Sequence, residues 1–189
     1  DVQTRFRALF GAPEAETEAA VFDRLFEEAD VIELGKTDVQ VMHTPGHTPA
    51  CVTYVVDDAA FVGDTLFMPD YGTARADFPG GDAATLYRSI RRILDLPADT
   101  RIFVGHDYLP SGRDRPRWET TVREQRAGNV HVHDGGGEDA FVALRNTRDK
   151  MLAAPRLILP SLQVNIRGGA LPKPEADGRI YLKTPVNAI

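Results

Sequence analysis

Hydrophobic and polar positions along the chain change period several times, and each change predicts an element. Residues 1–10 (DVQTRFRALF) place Val2, Phe6, Leu9 and Phe10 at helical spacing, with Gly11 and Pro13 ending the run. A second short helical or turn segment is expected over 18–27. The period then shortens to two. VIEL (31–34), a Gly-Lys-Thr-Asp turn and VQVMH (39–43) read as one hairpin, and CVTYVV (51–56) returning as AAFVGD (59–64) as another. Such runs suit a sheet with one covered face.

The next stretch, 65–81 (TLFMPDYGTARADFPGG), has little periodicity and reads as a long ordered loop, a kind of segment that is commonly functional. Asp82 is a suitable N-cap for DAATLYRSIRRILDL, whose Leu86, Ile90, Ile93 and Leu94 form an apolar stripe before Pro97. RIFVGHDY (101–108) is expected as a short buried strand with a polar tip, 116–129 as a helix ending at Gly128, and Glu138–Ala153 as a further helix. Neither an internal repeat nor a linker is evident, so residues 1–189 are expected to be a single domain.

Composition narrows the picture in three ways. A net charge of −6 argues against non-specific binding to nucleic acid, whose electrostatic footprint is basic. No apolar run approaches the length of a membrane span, so no membrane partner is expected. The single cysteine, Cys51, excludes an internal disulfide framework and favours a reducing, cytoplasmic setting.

The chemistry gathers at strand ends. In HTPGHTPAC (43–51) two histidines stand four apart, but Pro45, Gly46 and Pro49 exclude the helix on which such a pair would share a metal. The stretch is a strand followed by a tight turn. His47 after this turn, Asp64 at the end of AAFVGD and His106 at the end of RIFVGH all follow one grammar, an apolar strand and then a polar tip. A lone loop histidine is commonly a surface residue, and Gly-Asp a common turn. Together the three form a candidate ligand set, since two imidazoles and a carboxylate suit zinc or non-haem iron. His43 is better placed to support the site than to ligate. His131 and His133, an HxH pair expected on one strand face, read as solvated or structural, and Cys51 as a small buried hydrophobe.

HTPGHTPACVTYVV, FVGDTLF, GTARADFPGGDAATLYRSI and FVGHDY, in this order, resemble proteins of the metallo-β-lactamase fold. More narrowly they are similar to the persulfide dioxygenase branch and its bacterial β-lactamase-like hydrolase relatives, and the LPSLQVNIRGG…YLKTPVNAI tail resembles bacterial members. The resemblance implies an α/β fold, a four-layer αβ/βα sandwich with a metal at one edge, here mostly its C-terminal half. It implies that His47 and Asp64 are metal ligands, that His106 completes a second metal site in hydrolytic relatives, and that Arg75 contacts the glutathione moiety, with Tyr108 lining the same pocket. An arginine there could grip glutathione carboxylates bidentately or pair with Asp70 or Asp77 in its own loop. The HxHxDH motif of the family is absent from the 189 residues, which leads us to expect N-terminal truncation.

The activity implied is an iron-dependent oxidation of glutathione persulfide by O2 to sulfite, with Fe(II) as cofactor. The alternatives are a glyoxalase II-like thioester hydrolase using Zn(II) or iron, and a non-catalytic fragment or binding module. In the last case exposed apolar sheet surface would need a partner or another copy, a homo-oligomer, to cover it.

Overall fold

The computed structural model describes residues 2–12, 15 and 21–186. The chain divides into two compact units, Asp1–Leu25 with Ala153–Ile189, and Phe26–Leu152. In the first unit, helices α1 (Val2–Leu9) and α5 (Ile158–Asn165) accompany a small apolar cluster. Phe10, Ala12, Ala15 and Ile166 are buried there, with Phe6, Leu9, Leu159 and Leu162 packed against them. The amphipathic spacing of the first ten residues therefore finds its apolar partner within the same unit. Among residues 18–27, those from 21 onward form no α-helix, and 18–20 lie outside the described residues.

The second unit is built on a six-stranded sheet in the order β1-β2-β3-β4-β5-β6. The strands are β1 (Val31–Leu34), β2 (Thr37–His43), β3 (Val52–Val56), β4 (Ala59–Gly63), β5 (Arg101–Val104) and β6 (Glu119–Thr121). Both predicted hairpins are present, with Val31 opposite Gln40 and Val55 opposite Ala60. Neighbouring strands are antiparallel except β4 and β5, which run parallel. A parallel pair requires a crossover, and residues 65–100 provide it through the long loop and α2 (Ala83–Leu94).

This topology has a consequence for the strand ends. Because β3 is antiparallel to both β2 and β4, strands β2, β4 and β5 all point the same way. Their C-terminal tips, which lead into His47, Asp64 and His106, therefore share one edge of the sheet.

Helix α2 forms where its stripe predicts. Asp82 caps it by accepting a hydrogen bond from the Thr85 N–H at 2.7 Å. Leu86, Ile90, Ile93 and Leu94 are fully buried with Ala60, Val62 and Ile102 of the sheet. Burying each such side chain is worth roughly 1.5–3 kcal/mol, so this face anchors the unit. Helix α4 (Glu138–Asp149) packs beside it, bringing Phe141 against Tyr87. The expected helix over 116–129 is instead two elements. Glu119–Thr121 joins the sheet beside β5, where β-branched threonines are favoured, and α3 (Val122–Gly128) starts only after them. The boundary is a capping box: the Thr121 side chain accepts from the Glu124 N–H, and the Glu124 carboxylate accepts from the Thr121 N–H.

Candidate metal centre

The turn that carries His47 is held by α2. At Gly46 the backbone has φ of +134°, and a Cβ there would lie 2.3 Å from the Leu86 Cα, so only glycine allows the turn to rest on the helix. The Asp82 N–H donates to the Gly46 carbonyl at 2.9 Å, and the Ser89 hydroxyl to the Pro45 carbonyl at 2.6 Å. His47 then turns its Nδ1 to the Arg75 carbonyl at 2.8 Å. A carbonyl can only accept, so the proton sits on Nδ1 and the lone pair is left on Nε2. The Phe78 ring flanks the imidazole with centroids 5.1 Å apart.

Asp64 stands between the two histidines. One oxygen, Oδ2, is 3.9 Å from His47 Nε2, and the other, Oδ1, is 2.5 Å from His106 Nδ1. His106 is 58% exposed at its side chain, whereas His47 is only 13% exposed. An aromatic wall continues from His106: Tyr108 stacks on its ring and on Tyr71, and both tyrosines meet the Phe67 ring edge-on. Burial, with the Asp64 carboxylate nearby, raises the Tyr108 phenol above the usual tyrosine range.

The remaining candidates divide between support and distance. His43 donates through its Nε2–H to the Pro49 carbonyl, 2.9 Å away, so it braces the loop that carries His47. Arg75 pairs with Asp77 through Nε and Nη2, at 2.5 and 2.7 Å, and its guanidinium lies 5.0 Å from the Phe78 centroid. Asp70 pairs with Arg113 instead. Cys51 is partly buried, with its Sγ 3.0 Å from the Thr48 hydroxyl. His131 lies in a turn and His133 just beyond it, so the pair does not share a strand face. His131 packs beneath Gly72 while His133 is exposed.

A family profile, the Metallo-beta-lactamase superfamily, matches residues 3–106, more than half of the chain. The chain belongs to this superfamily. Its members are generally metal-dependent enzymes that bind divalent metals. The chain is 56% identical over 188 residues to a beta-lactamase hydrolase-like protein of Xylella fastidiosa, covering 100% of this chain and 43% of that protein. It is 46% identical to glyoxylase B2 of Dictyostelium discoideum, over 98% of this chain and 64% of the relative. A human mitochondrial persulfide dioxygenase, ETHE1, is 43% identical over 89 residues, 46% of this chain and 34% of that protein. Among solved structures, ETHE1 from Myxococcus xanthus aligns with a TM-score of 0.68 and 32% identity, over 77% of this chain and 60% of that one. The chain thus spans less than two thirds of the length of these relatives.

As a superfamily member, the chain offers two donors suited to a divalent metal. The 3.9 Å between His47 Nε2 and Asp64 Oδ2 is within the span of two metal–ligand bonds of about 2.0–2.2 Å each. The carbonyl behind Nδ1 is the outer-shell partner that metal-binding histidines commonly have. Among the described residues no group of three or more His, Cys, Asp or Glu is arranged to hold one ion.

Asp107 and Arg113 were not among the residues expected at the site. The Asp107 carboxylate accepts two hydrogen bonds of 2.5 Å from Arg113 and one of 2.7 Å from the Arg117 N–H, fixing the backbone beside His106. Arg113 holds this carboxyl below its usual range. The charge-bearing tip Gly-His-Asp-Tyr was the available signal, but its partner lies in a loop with no pattern.

Proposed function

We propose that the protein containing this chain oxidises a low-molecular-weight persulfide, glutathione persulfide foremost, with O2 at a single Fe(II). The observation that carries the reading is the unequal use of the two histidines. Both spend Nδ1 on a hydrogen bond, but His47 faces Asp64 with its open Nε2 across 3.9 Å, wide enough for an ion. The His106 Nδ1–H instead donates to the Asp64 carboxylate at 2.5 Å, which leaves no room for an ion between them. That arrangement uses His106 as a partner of the ligand rather than as a ligand of a second ion.

His47 and Asp64 would hold the metal, and ferrous iron bound there supplies open positions for sulfur and O2 and absorbs the change in electron count. The chain's own residues do the positioning. His106 fixes which Asp64 oxygen faces His47, and the Tyr108–Tyr71 wall limits water on the exposed side. At Arg75 a substrate carboxylate would compete with Asp77 for the guanidinium, which would favour a substrate bearing a carboxylate. The balance is one glutathione persulfide, one O2 and one water giving glutathione, sulfite and two protons. The outer sulfur is oxidised and dioxygen reduced.

Similarity to a glyoxylase over nearly the whole chain favours a second reading, hydrolysis of a glutathione thioester at two metals. The test is the iron-loaded parent protein given glutathione persulfide, with O2 uptake and sulfite followed together. Sulfite in step with O2 is expected. Absence of sulfite alongside rapid thioester hydrolysis, lost with one metal equivalent in His106→Ala, would replace this reading by the second.

A further inference from the structure

The Arg75 carbonyl that orients His47 belongs to the peptide group linking Arg75 to Ala76. That group is planar and trans, so its C=O and its N–H point in opposite directions. The C=O takes the His47 Nδ1–H at 2.8 Å. On the other side, the Ala76 N–H donates to Asp149 Oδ2 at 2.8 Å. One peptide plane is therefore gripped at opposite edges, by an imidazole at the candidate metal centre and by a carboxylate on α4.

Asp149 is itself placed with care. Its other oxygen, Oδ1, accepts from Arg145 Nε and Nη2 at 3.0 and 2.8 Å, and the two side chains are 5% and 3% exposed. Arg145 extends Nη1 to the Thr73 carbonyl at 3.0 Å and to the Thr73 hydroxyl at 3.3 Å. The Thr73 N–H donates to His131 Nδ1 at 3.0 Å. Gly72 alone permits this approach, because a Cβ there would lie 2.2 Å from that nitrogen. Residues 73 to 76 are thus fixed at three points by groups that make no contact with the candidate ligands.

A buried ion pair is a costly way to join a helix to a loop, and apolar packing commonly does as well or better. Its directional value lies in the peptide it aims. A carboxylate accepting from an N–H polarises the amide and makes its oxygen a better acceptor, since hydrogen bonds in series strengthen one another. A stronger acceptor behind Nδ1 holds the Nδ1–H tautomer and raises the donor strength of Nε2.

We propose that Asp149, held by Arg145, is a remote positioning residue for His47, acting through the 75–76 peptide plane as an Asp–peptide–His relay. The proposal rests on the reading of His47 as a metal ligand, so its test separates the two. The tautomer of His47 in the metal-free 189-residue chain is read by long-range 1H–15N NMR at pH 8, and Co(II) affinity is read by optical titration. In the wild type the Nδ1–H tautomer is expected to dominate. Asp149→Asn should mix the tautomers and weaken Co(II) binding about 10–100-fold. Asp149→Glu should recover part of both. Ile93→Val, a core substitution remote from the relay, should lower the melting temperature yet leave tautomer and affinity unchanged. A wild-type tautomer and affinity in Asp149→Asn would overturn the relay, as would equal losses in Ile93→Val. If the wild-type chain binds no Co(II), the ligand reading is not supported and the tautomer alone decides the relay.

Discussion

His47 and His106 approach Asp64 from two sides, and the two arms are built differently. The His47 arm is buried: a turn pressed on the α2 backbone and a ring backed by a carbonyl that is fixed from α4. The His106 arm is exposed, with its ring stacked on Tyr108 and its backbone tied by an Asp107–Arg113–Asp70 ion cluster. The difference separates two tasks. The buried arm sets one nitrogen and one tautomer with little freedom, which suits a ligand. The exposed arm leaves its imidazole reachable by solvent, which gives it the freedom the buried ring lacks.

The contrast can be broken at the buried arm most severely. Gly46→Ala sets a Cβ against the Leu86 backbone, and a loss of at least about 3 kcal/mol is expected by urea denaturation. His47→Ala should abolish Co(II) binding by the chain, whereas His106→Ala should weaken it by less than about tenfold, both read by titration. Arg113→Ala leaves the Asp107 carboxylate short of its partner and should cost about 1–2 kcal/mol of stability, with metal affinity little changed. The smallest effect concerns His131, whose pKa is lowered to about 4 by burial and by Arg145 and Arg148. Its ordinary value is 6.5, so the unfolded chain takes the proton first. Stability from this site is complete above about pH 6.5 and is lost as pH falls towards 4. His131→Gln should flatten that part of the profile of urea midpoint against pH.

Much of the first arm was legible because its signals are local. The turn in HTPGHTPAC, the strand tips at Asp64 and His106, and the apolar stripe of α2 are written in neighbouring residues. Even the boundary at Thr121 was legible in the Thr-x-x-Glu box, although the longer run was read as one helix. The network behind Arg75 was not. Arg145 and Asp149 stand four apart on a helix, the spacing of an ordinary exposed pair, and only tertiary packing buries them. The pairing of Arg75 with Asp77 was one of two outcomes the loop allowed, and geometry within that loop selected it. Family membership was carried by the order of the motifs, and the choice of reaction within the family was not.

Position 75 acts twice, and the two actions are separable. Its side chain faces Asp77 and Phe78, while its carbonyl serves His47. The carbonyl survives replacement of the side chain, so an alanine scan would report only the loss of the Asp77 and Phe78 contacts and miss the carbonyl's service to His47. For the same reason a library randomised at this one codon could vary the side chain beside Asp77 and Phe78 without disturbing the alignment of the imidazole. The backbone keeps the machine in register while the side chain is free to be rewritten.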